Sequence, residues 1–370
     1  MTMSDSQLLR VLWIGIAVIV FAILLVLFYL VERKVRRMRH RQQVKEAVEL
    51  FSAKSSALDD YLRSGDRTRK LNAPGSGEGL RREALEEALL DRLNVGASET
   101  EKQRIFDFAG SYFAEEYKYL LNRRRWSDRM NVLLHIEKFH IVSLKDQLIA
   151  RLEKLDPDQK NDDERFLLIR TLSSLQIEET FDYLELAAER FSELQLMQVL
   201  RPIKGELAQR LIREFDQLPV RIQRCELDTL RLGNVRTTEV LDLLERCMNS
   251  EDTETRIRAI KALANFGYMN EAAADRLESR MAEGDAVIWP ERMMYARLAG
   301  AVREERFAPY LEQMMADRSY EVRREAAASL SNYRGGLERI RQVAENHPDR
   351  FAKDMAIEIL ERRAYERQVV

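Results

Sequence analysis

The feature that most constrains this chain is a recurrence. Gly233, Gly267, Gly300 and Gly335 follow one another at intervals of 34, 33 and 35 residues, and each closes an amphipathic run: RCELDTLRLG, RAIKALANFG, MMYARLAG and REAAASLSNYRG. Glycine suits that place because the residue ending a helix often adopts a positive φ. A second series keeps similar time at the helix starts, where Arg221, Arg256, Arg292 and Arg323 are spaced by 35, 36 and 31. A period of this length is one two-helix unit. Such a unit buries its apolar stripe only against its neighbours, so the pattern predicts an all-α solenoid of stacked helical hairpins.

The rest of the chain agrees with a helical reading. Only 14 Gly and 7 Pro stand among 370 residues, too little turn chemistry for a sheet protein of this size. Hydrophobic residues at 45% supply a core. Ser98-Glu99-Thr100-Glu101 reads as a capping box opening a helix. Asp156-Pro157 and Trp289-Pro290 read as loops, because proline disfavours helical geometry in the residue before it. Residues 42–63 carry a stripe of Val44, Val48, Phe51, Leu58 and Leu62, which suits a stalk, a short coiled coil or a helix docked on the array. Residues 64–79, rich in Gly, Ser and charge, read as a flexible linker.

Two loops repeat in detail. Ser250-Glu-Asp-Thr-Glu-Thr-Arg256 and Asp317-Arg-Ser-Tyr-Glu-Val-Arg323 lie 67 residues apart, about two periods. Over 241–267 and 308–336 the sequence resembles the HEAT-repeat family, including bacterial relatives grouped with phycobilin-lyase-type HEAT repeats. The second stretch holds the family's Asp-x-x-x-Glu-Val-Arg loop intact. The first has Ser250 in place of the Asp and Thr255 in place of the Val. Segments 126–140 and 163–177 look like second helices, with Arg129 and Arg165 36 residues apart. The resemblance is good over 210–363, weaker over 99–209 and absent before residue 80, and the HEAT-like repeat domain is placed at 80–365. It implies that second helices line the concave side, and that Arg256 and Arg323 have a structural role, pairing with a loop acid such as Asp317 or with a helix terminus.

Before the repeats, residues 11–31 form a 21-residue run without a charge, VLWIGIAVIVFAILLVLFYLV. At 1.5 Å per residue it is about 31 Å long, the thickness of a bilayer core. Trp13 and Tyr29 stand near its ends, where amphipathic rings favour the headgroup level. The bases follow the run rather than precede it, which distinguishes it from a cleaved signal peptide. The expectation is a single-pass membrane protein, with residues 1–10 outside and everything after Glu32 in the cytoplasm. Residues 32–45 hold Arg33, Lys34, Arg36, Arg37, Arg39, Arg41 and Lys45 against Glu32, a net of +6. This basic juxtamembrane cluster is a candidate for anionic lipid headgroups. The total is −2, so residues 46–370 carry −8, which argues against nucleic acid as a partner.

No catalytic, cofactor-binding or metal-binding set emerges. His135 and His140 are five apart and diverge on a helix, unlike the i,i+4 pair that holds a metal. Cys225 and Cys247 show neither a CxxC nor a Cys/His spacing. The aromatics from Phe106 to Trp126 suit a dense core or an apolar groove, with the core favoured because such stripes pack inward. The chain therefore reads as a membrane-tethered cytoplasmic scaffold or adaptor, not an enzyme, binding a protein partner through its repeat surface. Family resemblance suggests a bacterial setting and a partner such as a membrane glycosyltransferase, a polysaccharide-export component or a signalling protein. The alternative is a HEAT-like enzyme of lyase or glycosylase type with an unrecognised active site.

Overall fold

The structure is a computed structural model. It describes residues 5–54, 56–65, 77–156 and 162–369, without the side chains of 5–12, 14–17 and 367–369. Residues 1–4 of the expected outer tail, the linker segment 66–76 and Pro157 lie outside these residues, and residues 5–10 begin the first helix. Among the described residues there are twenty α-helices and no strand. The chain divides into two compact units, 1–147 and 148–370.

The first unit holds α1 (Asp5–Ser52), α2 (Ala57–Ser64), α3 (Glu78–Val95), α4 (Glu99–Tyr112), α5 (Ala114–Leu121) and α6 (Trp126–Lys138). The stripe read at 42–63 is used for docking. Val44 and Phe51 of α1 and Leu58 and Leu62 of α2 are buried, and α1 packs on α3. Ser98 caps α4 as the sequence predicts, its Oγ accepting from Glu101 N at 3.3 Å while Ser98 N donates to Glu101 Oε2 at 3.0 Å. Phe108, Phe113, Tyr117 and Phe139 are buried together with centroids 5.4–6.2 Å apart between neighbouring rings. This part of the aromatic stretch is core.

The expected transmembrane helix over 11–31, and with it the single-pass membrane location, is corrected. Among the described residues no helix is long and apolar enough to cross a membrane. Helix α1 continues through the basic stretch to Ser52.

The second unit opens with α7 (Lys145–Glu153), which starts at the boundary, and α8 (Asp163–Ser174). There follow α9 (Leu184–Arg190), α10 (Glu193–Leu200), α11 (Gly205–Arg213), α12 (Val220–Leu232), α13 (Thr238–Cys247) and α14 (Thr253–Phe266). The last hairpins are α15 (Glu271–Ala282), α16 (Trp289–Val302), α17 (Ala308–Met314), α18 (Tyr320–Leu330), α19 (Gly336–Asn346) and α20 (Arg350–Val369). The second helices form one row in which each touches the next: α8, α10, α12, α14, α16, α18 and α20. First helices pack behind them, with α13 on α14, α17 on α18 and α19 on α20. A continuous apolar core runs from Phe215 to Ile359. No hairpin closes its own core, and this mutual burial holds the row together.

The glycine series resolves into four different roles. Gly267 alone ends a helix in the left-handed region, at φ 75°, with its N–H on Leu263 O at 2.8 Å. Gly233 ends α12 at φ −74°, and Asn234 takes the positive φ instead. Gly335, at φ 74°, starts α19 rather than closing α18. Gly300 lies inside α16, where a Cβ would collide with the Ser329 side chain and come within 2.8 Å of its Cα. There glycine serves close approach of α16 to α18, not helix termination. Gly300→Ala is expected to destabilise the protein by about 1–3 kcal/mol through overpacking, read as a lower urea midpoint. Gly300→Ala combined with Ser329→Gly should recover part of that loss.

Trp289-Pro290 also corrects the sequence reading, because both residues belong to the first turn of α16. Proline is tolerated there, since the N–H it lacks has no intrahelical acceptor.

Candidate interaction surface

Side chains on a helix lean toward its N-terminus, so a long residue at the fourth helical position reaches back onto the loop before it. Arg256 donates through Nη1 to Ser250 O and Glu251 O at 2.8 and 2.9 Å. Arg323 does the same to Asp317 O and Arg318 O at 2.8 and 3.2 Å, and Arg129 in the first unit to Arg123 O and Arg124 O at 2.8 and 2.9 Å. Arg292 reaches Val287 O. In α12 this place belongs to Gln223, whose Nε2 donates to Leu218 O at 2.9 Å. Arg221 therefore falls outside the series its spacing suggested. It lies in the first turn and donates instead to Ala188 O and to Phe191 O, the latter at 2.7 Å.

The same edge ties each hairpin to the next. Arg256 meets Glu291 Oε1 at 2.9 and 2.5 Å. Arg292 forms a fork with Asp317, Nε to Oδ2 at 2.6 Å and Nη2 to Oδ1 at 2.8 Å. Arg323 has no such acid and stands over the Phe351 ring at 5.1 Å. Arg224 forms a fork with Asp252 at 2.9 and 2.5 Å, which holds the Asp252 carboxyl far below the usual carboxylate range. Asp252 also caps α14 by accepting from Thr255 N at 2.8 Å. The loop acid that Ser250 fails to supply thus stands two residues later. An acid three residues before Thr255, at a helix start, is the ordinary N-cap signal, and it was the clue to Asp252.

Further along the exposed face of the row, Arg258 binds three helices at once. It lies 3.0 Å from Glu193 of α10, 3.2 Å from Asp228 of α12 and 3.0 Å from Glu254 of its own α14. Beyond it, a notch of about 330 Å³ opens across α12, α14, α16 and α18, lined among others by Arg231, Lys261, Asn265, Arg297, Glu325 and Asn332. A larger cleft of about 940 Å³ lies between the 178–190 segment and the α11–α12 hairpin. Its cations are already committed: Arg210 pairs with Glu178 and Glu214 at 3.0 Å and covers the Phe181 ring, and Arg221 is bound to backbone carbonyls.

In the first unit, Arg33, Lys34, Arg36, Arg37, Arg39, Arg41 and Lys45 are all exposed on α1. Arg36 pairs with Glu32, and neighbouring His40 lies 2.8 Å from Glu83 of α3. They share no residue with the second-unit face.

Inside the second unit, Glu226 of α12 is 3% exposed and its Oε2 has no hydrogen-bond partner. Burial pushes its carboxyl up to about 7. Cys225 and Cys247 are buried and unpaired, their thiols pushed up to about 11 and about 12 by desolvation. Burial thus favours the thiol over the thiolate at both.

A stacked row of two-helix units with a shared core defines a helical-repeat protein. Within it, residues 229–288 match the family model of HEAT repeats, the stretch from the end of α12 to the loop before α16. No curated protein matches the chain. Among solved structures, the chain is similar to the crystal structure of an engineered protein at 14% identity, over 86% of this chain and 93% of that one, with a TM-score of 0.32.

Proposed function

We propose that the chain is a protein-interaction scaffold whose working surface is the exposed side of the second-helix row. One observation carries this reading. The inner side of α12 to α20 is given over to a continuous apolar core, while the outer side presents charged groups from successive hairpins in fixed positions, as at Arg258. A repeated surface of this kind offers a long contact area whose geometry is set before a partner arrives, which lowers the entropic cost of binding. The HEAT-repeat match over 229–288 supports it, since that stretch lies within this row. Family resemblance extends the proposal to partners of the glycosyltransferase, polysaccharide-export or signalling class, and no particular residue carries that choice.

A photo-cross-linking amino acid placed at Glu254 on the second-helix face, and in a separate protein at Asp275 on first helix α15, tests the reading in cells producing the full chain. A discrete adduct of constant mass from position 254 and not from 275 is the expected result. No adduct, or equal adducts at both positions, would refute it.

A further inference from the structure

Three arginines of α12 and α14 are paired with acids on the second-helix face. Arg224 has Asp252, Arg258 has Glu193, Asp228 and Glu254, and Arg231 has Asp228 at 3.0 Å. In the notch the matching fails. Arg231 is committed to Asp228, and the two other cations of the lining, Lys261 and Arg297, face a single acid, Glu325, which stands 3.8 Å from Arg297. Lys261 makes no hydrogen bond or ion pair with the described residues, although it is half-buried. Asn332 accepts from Arg363 Nη2 through Oδ1 at 2.8 Å, so what it offers a ligand is its amide N–H. The floor is made of small residues, Ala264, Gly300 and Ala301, which leaves space between the cationic tips.

We infer that this notch is the anchor point of the partner surface and takes carboxylates from an acidic segment of a partner protein. The inference rests on the scaffold reading and specifies which part of that surface selects the partner. A half-buried ammonium without a counter-ion gains when a carboxylate arrives, because the desolvation of the cation is already in place. Arg297, exposed on the rim beside it, adds a second donor fork of the kind that grips carboxylates. A nucleic acid is a poor occupant. The chain from residue 46 onward carries a net −8, and an extended run of phosphates passing the notch would meet that charge. A short acidic cluster, flanked by basic or neutral residues, meets the positive notch without running on into the acidic remainder of the chain.

The test uses full-length protein and a fluorescein-labelled hexaglutamate peptide, followed by anisotropy at low salt. One-site binding that weakens as salt rises is expected. Lys261→Glu should weaken it at least tenfold and Lys261→Gln at least threefold, while Lys261→Arg should restore it. Arg341→Glu, a charge change of equal size on α19, should leave it within twofold, and circular dichroism melting identifies any variant that has not folded. Binding that is absent, that is equally weakened by Arg341→Glu, or that a single-stranded oligonucleotide equals would overturn the inference. The two readings fail separately. An adduct from position 254 that survives Lys261→Glu sinks the notch and leaves the scaffold, whereas the absence of any adduct sinks the scaffold itself.

Discussion

Arg292→Ala is expected to destabilise the second unit by about 3–5 kcal/mol, the usual cost of removing one partner from a buried ion pair. The pair is out of solvent on both sides, with side chains 9% and 5% exposed for Arg292 and Asp317. Asp317 would keep only Ser319 N at 2.8 Å for its Oδ1, and a buried carboxylate would lose its counter-charge. The Val287 carbonyl would lose its donor as well. Because the fork joins α16 to the α17–α18 loop, the damage should appear as early opening of the last hairpins. Hydrogen exchange should show α17 to α20 losing protection before α8 to α12. Arg292→Lys should recover only part of the loss, since an ammonium cannot reproduce the planar fork. The double variant Arg292→Met with Asp317→Leu should be closer to the parent than either single removal, because no charge is then left unpaired. An Arg292→Ala protein with an unchanged urea midpoint would show that the junction does not depend on this pair.

Replacing Glu226 by leucine should act in the opposite direction. Its carboxyl titrates near pH 7 in the fold and near the ordinary 4.3 when unfolded. Between those values the folded state holds a proton that the unfolded chain has released. Stability therefore falls as pH rises through this window, and the penalty is complete above about pH 7. A shift of this size corresponds to something on the order of 3 kcal/mol. The parent protein should thus melt at a higher temperature at pH 5 than the other titrating groups alone would give. Glu226→Leu should remove that component of the pH dependence and raise the melting temperature at pH 8. Equal pH profiles for parent and variant between pH 5 and 8 would rule out Glu226 as the cause.

These two residues show how unevenly the molecule could be read in advance. Arg292 was visible as one of a spaced series, yet its partner was not, because Asp317 lies 25 residues on and only hairpin packing brings them together. Glu226 sat unnoticed in RCELDTLRLG, since a carboxylate at a helical position is ordinarily solvated. The register of α12 turns this one inward, between Ile222 and Leu230, both buried. Gly300 carried the right period for the wrong reason, and Arg221 did the same.

What the sequence by itself determined is the class and the rhythm: all helix, two helices per period, arginines near the starts of second helices, a HEAT-like pattern clearest over 210–363. Those are local consequences of apolar spacing, capping and turn residues, so they need no partner to be legible. The tertiary structure alone decided which glycine ends a helix and which lets two helices touch, and which acid stands in for a missing one. It also decided that Lys261, half-buried in the notch, is left without an acid. Each of these depends on residues about 25 to 70 positions apart meeting across hairpins, and the distance between them is set by packing that no single repeat contains.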